Sequence, residues 1–209
     1  MAFDKIKKEV SGYYTGKVEQ FGTTPRGVDW NSIESQELRF SILQKIIYPA
    51  IKKKSVLDYG CGFGSMYAHM KKTHENFQYT GFDISEAMLL EAKKLYEGKD
   101  AKWINSLSAK QKFDYVIASG IFNVKLGSSK KDWNQYILHT LDAMNSCSKK
   151  GFSFNVLTQY SDKEYRKNYL YYADPLFLFD HCKKKYSKYV TLLHDYPLYE
   201  FTILVKKNI

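Results

Sequence analysis

A glycine-rich stretch around residue 60 constrains the fold of this chain more than any other feature. Residues 55–59 form a short apolar run of the kind found in buried strands. Gly60, Gly62 and Gly64 follow at alternate positions, and a helical pattern begins at about Ser65. Glycine permits tight turns and a close approach of the backbone to a ligand, and the first turn of a helix offers unpaired N–H groups. The order of strand, glycine loop and helix therefore predicts a nucleotide-binding corner.

A second acidic strand end lies at the expected distance. Asp83 ends a predicted strand about 20 residues after the glycine loop, the spacing at which the next strand of a nucleotide-binding fold brings a carboxylate to ribose hydroxyls. A further strand pattern follows at residues 113–116. This combination is more specific than a glycine loop alone.

The segment 57–64 (Leu-Asp-Tyr-Gly-Cys-Gly-Phe-Gly) resembles the glycine motif of class I S-adenosylmethionine (SAM)-dependent methyltransferases. That motif has the pattern hydrophobic-Asp-hydrophobic-Gly-x-Gly-x-Gly. NAD-binding Rossmann proteins more often show G-x-G-x-x-G and lack the aspartate two residues ahead. The resemblance implies a methyltransferase with SAM as cofactor and S-adenosylhomocysteine (SAH) as product.

Length and composition limit the class of protein. A chain of 209 residues with 44% hydrophobic residues can bury a core as one globular domain. No apolar run is long enough to span a bilayer, and residues 1–10 lack the apolar core of a signal peptide. Cys61, Cys147 and Cys182 are odd in number and lack metal-ligand spacing. We therefore expect a cytoplasmic protein with reduced thiols and no metal site.

The formal charge of +10 raises nucleic acid as a partner, but the distribution of the charge argues against it. Lysines come in short runs at the ends of predicted elements, and such scattered runs are usually solvated faces. Arginine occurs only as Arg26, Arg39 and Arg166, and a guanidinium binds carboxylate or phosphate better than an ammonium does. The arginines are therefore the stronger candidates for ligand binding. Six of these runs are Lys52–Lys54, Lys71–Lys72, Lys93–Lys94, Lys149–Lys150, Lys183–Lys185 and Lys206–Lys207.

Strand and helix patterns alternate through most of the chain, which predicts a parallel sheet with helices on both faces. A short link at residues 195–198 makes the last two strands an antiparallel pair, an ending that resembles the methyltransferase sheet. The predicted fold is therefore α/β and Rossmann-like, a seven-stranded, mostly parallel sheet with an antiparallel last strand and a helical N-terminal cap. The predicted strands are Ser55–Tyr59, Gln78–Phe82, Ala101–Ile104, Phe113–Ser119, Phe152–Thr158, Val190–Leu193 and Glu200–Lys206, and the predicted helices of this part are Ser65–Thr73, Ser85–Tyr96, Asp132–Cys147 and Pro175–Tyr186.

The N-terminal segment stands outside this alternation. Residues 3–14 predict a helix that ends near Gly16, and the turn-rich segment 21–30 follows. That segment is either a surface connector whose aromatic residues plug the core, or a cap over the cofactor mouth. A helical cap is usual in small-molecule methyltransferases, so the resemblance favours the cap.

One helix joins this segment to the first strand. Asn31 or Ser32 can cap it, and its apolar stripe extends to about Tyr48. The single domain is thus divided into the cap with its first helix, residues 1–50, and a SAM-binding core, residues 51–209.

Ligands of open α/β sheets lie outside the carboxyl ends of the strands, which selects a short set of residues. In the resembling enzymes, the residues that match Asp58 and the glycine loop lie near the methionine part of SAM. The residue that matches Asp83 lies near the ribose, and the residue that matches Ile84 lies near the adenine. Asn105 and Ser106 stand where the family often has an acidic residue facing the adenine amine. The predicted cofactor-binding residues are Arg39, Asp58, Gly60, Cys61, Gly62, Gly64, Asp83, Ile84, Asn105, Ser106, Ser119 and Gly120.

Arg39 lies on the helix before the glycine strand. In the resembling enzymes a basic residue here often meets the methionine carboxylate of SAM. A surface ion pair with Glu34 or Glu37 explains Arg39 equally well, and the sequence leaves both interpretations open.

The acceptor and its base are less determined. Methyl transfer is an in-line displacement in which positioning supplies much of the acceleration, while an acceptor hydroxyl must still lose its proton. His194, at the carboxyl end of the sixth strand, is the candidate base, and the alternative is a turn histidine without a chemical role. The tyrosine-rich loop after strand five is a candidate lid, and Lys17, Arg26, Lys125 and Arg166 could together bind an anionic group. The predicted substrate residues are Tyr13, Tyr14, Lys17, Arg26, Trp30, Tyr160, Arg166 and Tyr172.

The resemblance implies a SAM-dependent O-methyltransferase with a small polar, anionic acceptor. Residues 13–30 and 194–197 are similar to small bacterial methyltransferases of surface-polysaccharide and capsule biosynthesis, which suggests a capsule phosphoramidate or a sugar- or nucleotide-linked precursor. An RNA methyltransferase is favoured instead if the lysines cluster on the cofactor side, and a non-catalytic SAM-binding protein if the pocket beyond the sulfonium is closed or lacks a base. The oligomeric state stays open.

Overall fold

The computed structural model describes residues 2–47, 53–73 and 76–207. Seven strands and six α-helices lie within these ranges. The strands are β1 (Lys54–Tyr59), β2 (Phe77–Phe82), β3 (Ala101–Ile104), β4 (Phe113–Ala118), β5 (Ser148–Leu157), β6 (Tyr189–Leu193) and β7 (Glu200–Lys206). The helices are α1 (Ala2–Phe21), α2 (Ile33–Leu43), α3 (Ser65–Thr73), α4 (Glu86–Leu95), α5 (Lys130–Cys147) and α6 (Pro175–Lys185).

The strands form one sheet in the order β3-β2-β1-β4-β5-β7-β6. Strands β1 to β5 pair in parallel, and β7 runs antiparallel to both of its neighbours, β5 and β6. The prediction of a Rossmann-like sheet with an antiparallel last strand is confirmed. The strand order reverses between β1 and β4, where a crevice for a ligand is expected.

Helices cover both faces because successive side chains of a strand point to opposite sides. Val56 packs in a core with Phe40 of α2 and Met66 of α3, whereas Leu57 packs in the opposite core with Trp133 of α5 and Leu178 of α6. Val56 and Leu57 are both fully buried, so the sheet is covered on each side. None of the described helices has the combination of length and apolarity that crossing a membrane requires.

The sheet has two rims. The upper rim is formed by the carboxyl ends of β1 to β6, and the lower rim by their amino ends together with the carboxyl end of the antiparallel strand β7. Helices α3 to α6 run back along the sheet, so they begin at the upper rim and end at the lower one. Ser85, Ser129 and Asp174 cap the starts of α4, α5 and α6 with their side chains.

The predicted end of the first helix near Gly16 is wrong, because α1 continues to Phe21. Glycine inside a helix costs about 1 kcal/mol relative to alanine. Val18 lies beyond the predicted end and is 5% exposed in a small core with Phe63 and Met88. We attribute the extra turns to this tertiary packing.

Two other boundaries also differ from the predictions. Helix α2 ends at Leu43 and continues as the 3₁₀ turn Gln44–Ile46, while the predicted end at Tyr48 lies outside the described residues. Strand β5 begins at Ser148 and not at Phe152, since it pairs with β7 as far as Gly151 and with β4 at Ser148. The proposed division at residues 50 and 51 likewise lies outside the described residues.

Candidate cofactor cleft

A cleft opens at the upper rim where β1, β2 and β4 end, at the reversal of the strand order. The strand ends and the glycine loop form its floor, and α1 with the segment around the 3₁₀ turn Pro25–Val28 forms its roof. The N-terminal segment is therefore a cap, as the resemblance implied. The cleft is lined by Val10, Tyr14, Val28, Trp30, Gln36, Phe40, Asp58, Tyr59, Gly60, Cys61, Gly62, Ser65, Met66, Phe82, Asp83, Ile84, Met88, Ser119, Ile121 and Tyr136.

Two hydrogen bonds tie the roof to the floor. Ser11 Oγ donates to the carbonyl oxygen of Ile84 over 3.2 Å, and the hydroxyls of Thr15 and Ser85 lie 2.9 Å apart. Both contacts join α1 to the turn that follows β2. The cap is thus positioned directly over the acidic end of that strand.

Gly60 shows why the floor of the cleft needs glycine. Its φ of +82° lies in the left-handed region that L side chains rarely adopt, and a Cβ there would lie 2.3 Å from Cγ2 of Ile121. Gly62 and Gly64 also have positive φ values, so the loop folds tightly against the strand ends. The backbone of the loop can therefore approach a ligand closely.

Asp83 holds the glycine loop and still has bonding capacity. Its Oδ2 accepts the Gly62 N–H and its Oδ1 accepts the Ser85 N–H, each over 2.8 Å. Burial raises the pKa of the Asp83 carboxyl, while these N–H groups oppose the rise. Each carboxylate oxygen can accept a second hydrogen bond, so the group fits the two hydroxyls of a ribose.

Asp58 is the second acidic group of the floor and is only 2% exposed. Burial raises the pKa of the Asp58 carboxyl to about 7; the hydrogen bond from the Tyr79 hydroxyl opposes this rise, and the nearby Asp83 contributes a smaller part of it. That hydrogen bond measures 2.5 Å and uses Oδ2. A cation placed beside Oδ1 would favour the charged form of Asp58.

The affinity for SAH is expected to fall below pH 7 because a ligand ammonium beside Asp58 binds best to the ionised carboxylate. With a pKa of about 7 for the free protein, binding at pH 5.5 should be about 20-fold weaker than at pH 7.5. Calorimetry across this range measures the change. Asp58→Asn should remove most of the pH dependence, leaving the contribution of Asp83; an unchanged profile in this variant would assign the effect to another group.

Three further polar groups in the cleft have unused hydrogen-bonding capacity. Ser119 Oγ is buried and has no hydrogen-bond partner, and within the described part of the chain the Tyr14 hydroxyl and the Gln36 side-chain amide also form no hydrogen bonds. Buried polar groups normally find partners, so such a set indicates the place of a polar ligand. Together with Asp58 and Asp83 they match a ligand bearing an ammonium, a carboxylate and hydroxyls, as SAM does.

Arg39 is not brought to the cleft. Its Nε donates to Oε2 of Glu200 over 2.9 Å, and its Nη1 donates to the carbonyl oxygen of Ser35 over 2.9 Å. The surface pairing with Glu34 or Glu37 is also wrong, because Glu200 is fully buried and Glu37 pairs with Lys72. Gln36, one helical turn earlier, lines the cleft in its place.

The Arg39–Glu200 pair belongs to a buried network that surrounds one end of the cleft. Oε1 of Glu200 accepts the Asn155 amide over 2.8 Å, and Oδ1 of Asn155 accepts the Gly120 N–H over 2.7 Å. The Arg39 guanidinium lies 4.0 Å from the ring centre of Trp30, and a Cβ on Gly120 would lie 2.4 Å from the same indole. The network therefore fixes Trp30 and the loop after β4 relative to each other.

Some predicted cofactor residues lie beside the cleft and do not line it. Asn105 and Ser106 line a neighbouring groove that shares Ile84 with the cleft, and the Asn105 amide lies 3.4 Å from Oε1 of Glu86. Gly64 and Gly120 pack against aromatic rings, Gly64 against Trp103. The other predicted cofactor residues, Asp58, Gly60, Cys61, Gly62, Asp83, Ile84 and Ser119, line the cleft together.

The predicted substrate residues divide into two groups. Tyr14 and Trp30 line the cleft, whereas Tyr13 and Lys17 do not line it, and the Tyr13 hydroxyl and the Lys17 ammonium bind Asp29 over 2.8 and 2.7 Å. Arg26 is exposed. Tyr160 and Tyr172 belong to the loop after β5 and do not line the cleft.

The four cations expected to bind one anion are mostly engaged elsewhere. The Lys17 ammonium pairs with Asp29, and Lys125 Nζ donates to the carbonyl oxygens of Leu126 and Ser128. Arg166 donates to the carbonyl oxygens of Gln159 and Ser161 and lies over the Tyr172 ring. Arginine and lysine here hold loops together, because their donors satisfy backbone carbonyls that the irregular chain leaves open.

His194 lies at the upper rim, but away from the cleft. It is exposed, follows the outermost strand β6 and packs beside the rings of Tyr160 and Phe201, each 6.0 Å from its own ring. Strands β5 and β7 lie between β6 and β4. The described residues contain no group of three or more side chains arranged to hold a metal ion.

Sequence reasoning missed several lining residues. Val10 and Gln36 each lie four residues before a second lining residue, Tyr14 and Phe40. Residues at this spacing share one face of a helix, and that pattern was the available signal. This spacing shows that one face of the helix points inward, but it does not distinguish a face that packs in the core from a face that lines a cleft.

Comparison with known proteins agrees with this geometry. Residues 57–147 match the family model described as "Methyltransferase domain". The chain is 48% identical over 154 residues to the Mycobacterium tuberculosis protein named "Putative methyltransferase Rv1506c", covering 73% of this chain and 93% of that protein.

Similar solved structures share the fold at low sequence identity. The DhpI–SAH complex has a TM-score of 0.66 and 12% identity, covering 96% of this chain and 97% of that one. Magnesium protoporphyrin IX methyltransferase from Synechocystis PCC 6803 with bound SAH has a TM-score of 0.63 and 14% identity, covering 97% and 100%. The plantazolicin methyltransferase BpumL, in complex with SAH and a desmethylPZN analogue, has a TM-score of 0.60 and 16% identity, covering 98% and 99%.

Proposed function

The chain belongs to the class I SAM-dependent methyltransferases, and from that premise we propose that it transfers a methyl group to a hydroxyl of a small, polar, anionic acceptor. One observation carries the proposal. Asp58, Asp83, Ser119, Tyr14 and Gln36 all line one cleft and have unused hydrogen-bonding capacity, in an arrangement that would complement both ends of SAM. SAM supplies an activated methyl group on a sulfonium.

Named residues would hold the cofactor. Asp83 would accept the ribose hydroxyls, and Asp58 would pair with the α-ammonium. Gln36 could donate its amide to the α-carboxylate, in the role that the sequence suggested for Arg39. Val10, Ile84 and the rest of the apolar lining would exclude water from the adenine side.

The acceptor would enter under the cap. Trp30, fixed by Arg39 and Gly120, would form one wall, and the Tyr14 hydroxyl could donate to the acceptor because burial raises its pKa and keeps it protonated. Lys17 of α1 would have to exchange its partner Asp29 for the anionic group of the acceptor. A capsule phosphoramidate or a sugar- or nucleotide-linked precursor is the acceptor class we propose.

Positioning is proposed as the main source of rate. The tight cleft would hold the acceptor oxygen in line with the transferred methyl group, and such orientation can replace much of the barrier. His194 follows β6, beyond β5 and β7 from the cleft, so it is not placed to take the proton of a hydroxyl held in line with the methyl group, and we do not retain it as the base. His194→Ala should therefore transfer the methyl group at the wild-type rate, and a loss of transfer with unchanged SAH affinity would restore the role of base to His194.

The test combines binding and transfer. Calorimetry with SAH measures the cofactor site, and SAH release from SAM is then measured with sugar phosphates and nucleotide sugars. Their dephosphorylated counterparts are the matched controls. Equal transfer to neutral counterparts would contradict the anionic acceptor, and absence of SAH binding would contradict the whole proposal.

RNA methylation is the less favoured alternative. Within the described residues, the charged side chains that line the cleft are Asp58 and Asp83, both acidic. Six of the eight lysine runs lie at the opposite rim. Among the described residues no cationic side chain lines the cleft, which disfavours a polyanionic strand there.

A further inference from the structure

Six of the eight lysine runs of the sequence meet at the lower rim, although they are scattered along the chain. The other two, Lys7–Lys8 on α1 and Lys130–Lys131 at the start of α5, lie elsewhere. Two runs precede or open β1 and β5, three fall in the last turns of α3, α4 and α6, and the last closes the antiparallel strand β7. Lys52 lies outside the described residues. Each of these strands and helices therefore has its lysine-bearing end at the lower rim.

Two of the runs are in direct contact. Lys206 is the β-partner of Gly151, which follows Lys150, and the Lys207 N–H donates to the carbonyl oxygen of Lys150 over 2.8 Å. The single residues Lys99 and Lys188 lie at the same rim, where β3 and β6 begin. Lysines therefore occur along the lower rim from one edge strand of the sheet, β3, to the other, β6.

Most of the net charge of the chain resides here. The described residues of these six runs include 13 of the 32 lysines and arginines, and six ion pairs neutralise part of this charge. The remaining surplus accounts for most of the net charge of +10. The described charged side chains that line the cleft, Asp58 and Asp83, are acidic, so the cleft and the lower rim have opposite charge.

We propose that the lower rim is a docking surface for an anionic lipid membrane. The charges spread over the ends of many elements along the sheet, and such a distribution favours an extended anionic surface over a compact anionic ligand. All are lysines, whereas the three arginines, which recognise nucleic-acid phosphates better, lie elsewhere in the chain. Leu95 and Tyr189, at the end of α4 and the start of β6, are 47% and 51% exposed and add apolar contact at the same rim.

Docking in this orientation leaves the cleft open to water. The cleft lies at the opposite rim from the lysines, so SAM and a dissolved acceptor could enter while the lower rim stays on the lipid. The attraction is electrostatic and should weaken with salt. It is independent of the proposed methyl transfer.

Sedimentation with vesicles tests the proposal. The protein should bind vesicles containing about 30% phosphatidylserine and not vesicles of phosphatidylcholine alone. The variant with Lys99→Gln, Lys149→Gln and Lys188→Gln should bind about 100-fold more weakly, at roughly fivefold per lysine. All three residues are exposed, so the fold should be retained, and thermal unfolding verifies this.

A second triple variant separates location from net charge. Lys130→Gln, Lys131→Gln and Lys163→Gln remove three exposed lysines near the upper rim, where α5 begins and β5 has ended. This control should bind vesicles within about threefold of the wild type, since its lower rim is intact. Equal losses in both variants, or no binding to anionic vesicles, would overturn the proposal. Tighter binding to an RNA homopolymer than to vesicles, lost only in the lower-rim variant, would instead assign the rim to nucleic acid.

Discussion

Replacing Arg39 by Met is expected to lower the free energy of unfolding by about 3–5 kcal/mol, because it leaves the buried carboxylate of Glu200 without its cation. For a chain of this length the melting temperature should fall by roughly 6–20 °C. Burial already raises the pKa of Glu200, and both Arg39 and Asn155 oppose that rise. Thermal unfolding of the wild type and of Arg39→Met measures the loss.

The loss of stability in Arg39→Met should depend on pH, and its direction can be predicted. Without Arg39, the folded-state pKa of Glu200 rises further above its unfolded value, so the folded variant binds a proton that the unfolded chain has released. The deficit of Arg39→Met should therefore be small at acidic pH and grow as the pH rises through neutrality. A deficit independent of pH would point to lost packing against Trp30 instead.

A double variant is the matched control. Arg39→Met with Glu200→Gln removes both charges and keeps an oxygen that can accept the Asn155 amide, so most of the stability should return. Its SAH affinity should stay within about threefold of the wild type, since the structure does not place Arg39 in the cleft. A loss above about tenfold would restore the interpretation that Arg39 binds the methionine carboxylate.

Asp83→Ala is expected to weaken SAH binding by at least about 100-fold. Two hydrogen bonds to a charged group contribute about 1.5–3 kcal/mol each, and the variant removes the acceptor for both ribose hydroxyls. Calorimetry with SAH measures the difference. The same substitution also frees the N–H groups of Gly62 and Ser85, so part of the loss could come from the loop itself.

Ser85→Ala separates the two causes. This variant removes the hydroxyl that caps α4 and touches Thr15, at a cost of about 1 kcal/mol of stability, but it keeps the N–H that bonds to Asp83. SAH binding should survive nearly unchanged. If Ser85→Ala lost as much affinity as Asp83→Ala, the effect would belong to the turn and not to the carboxylate.

The sequence predicted the parts of this structure that depend on neighbouring residues. The glycine loop, Asp58 and the cap residue Ser85 each act through positions only a few residues away, so their patterns are visible locally. The alternation of strands and helices likewise predicted the sheet, and the hairpin at the end predicted the reversed strand. Patterns of neighbouring residues were therefore enough to predict the floor of the cleft.

Long-range contacts explain what the sequence did not predict. Glu200 meets Arg39 across 161 residues, and nothing near Arg39 marks this partner. The extra turns of α1 beyond Gly16 depend on Val18 packing over residues of the core, which a local glycine signal cannot report. Six of the eight lysine runs looked like separate solvated ends until the fold brought them to one rim.

The position of Trp30 gives the chain a built-in optical reporter. Of the three tryptophans, Trp133 is fully buried in the core and Trp103 packs among Tyr67, Tyr79 and Tyr96, whereas Trp30 alone lines the cleft. Its indole also lies against the Arg39 guanidinium, so its emission should respond when a ligand changes that environment. Intrinsic fluorescence could therefore follow cofactor and acceptor titrations in real time, with no label and before the acceptor is identified.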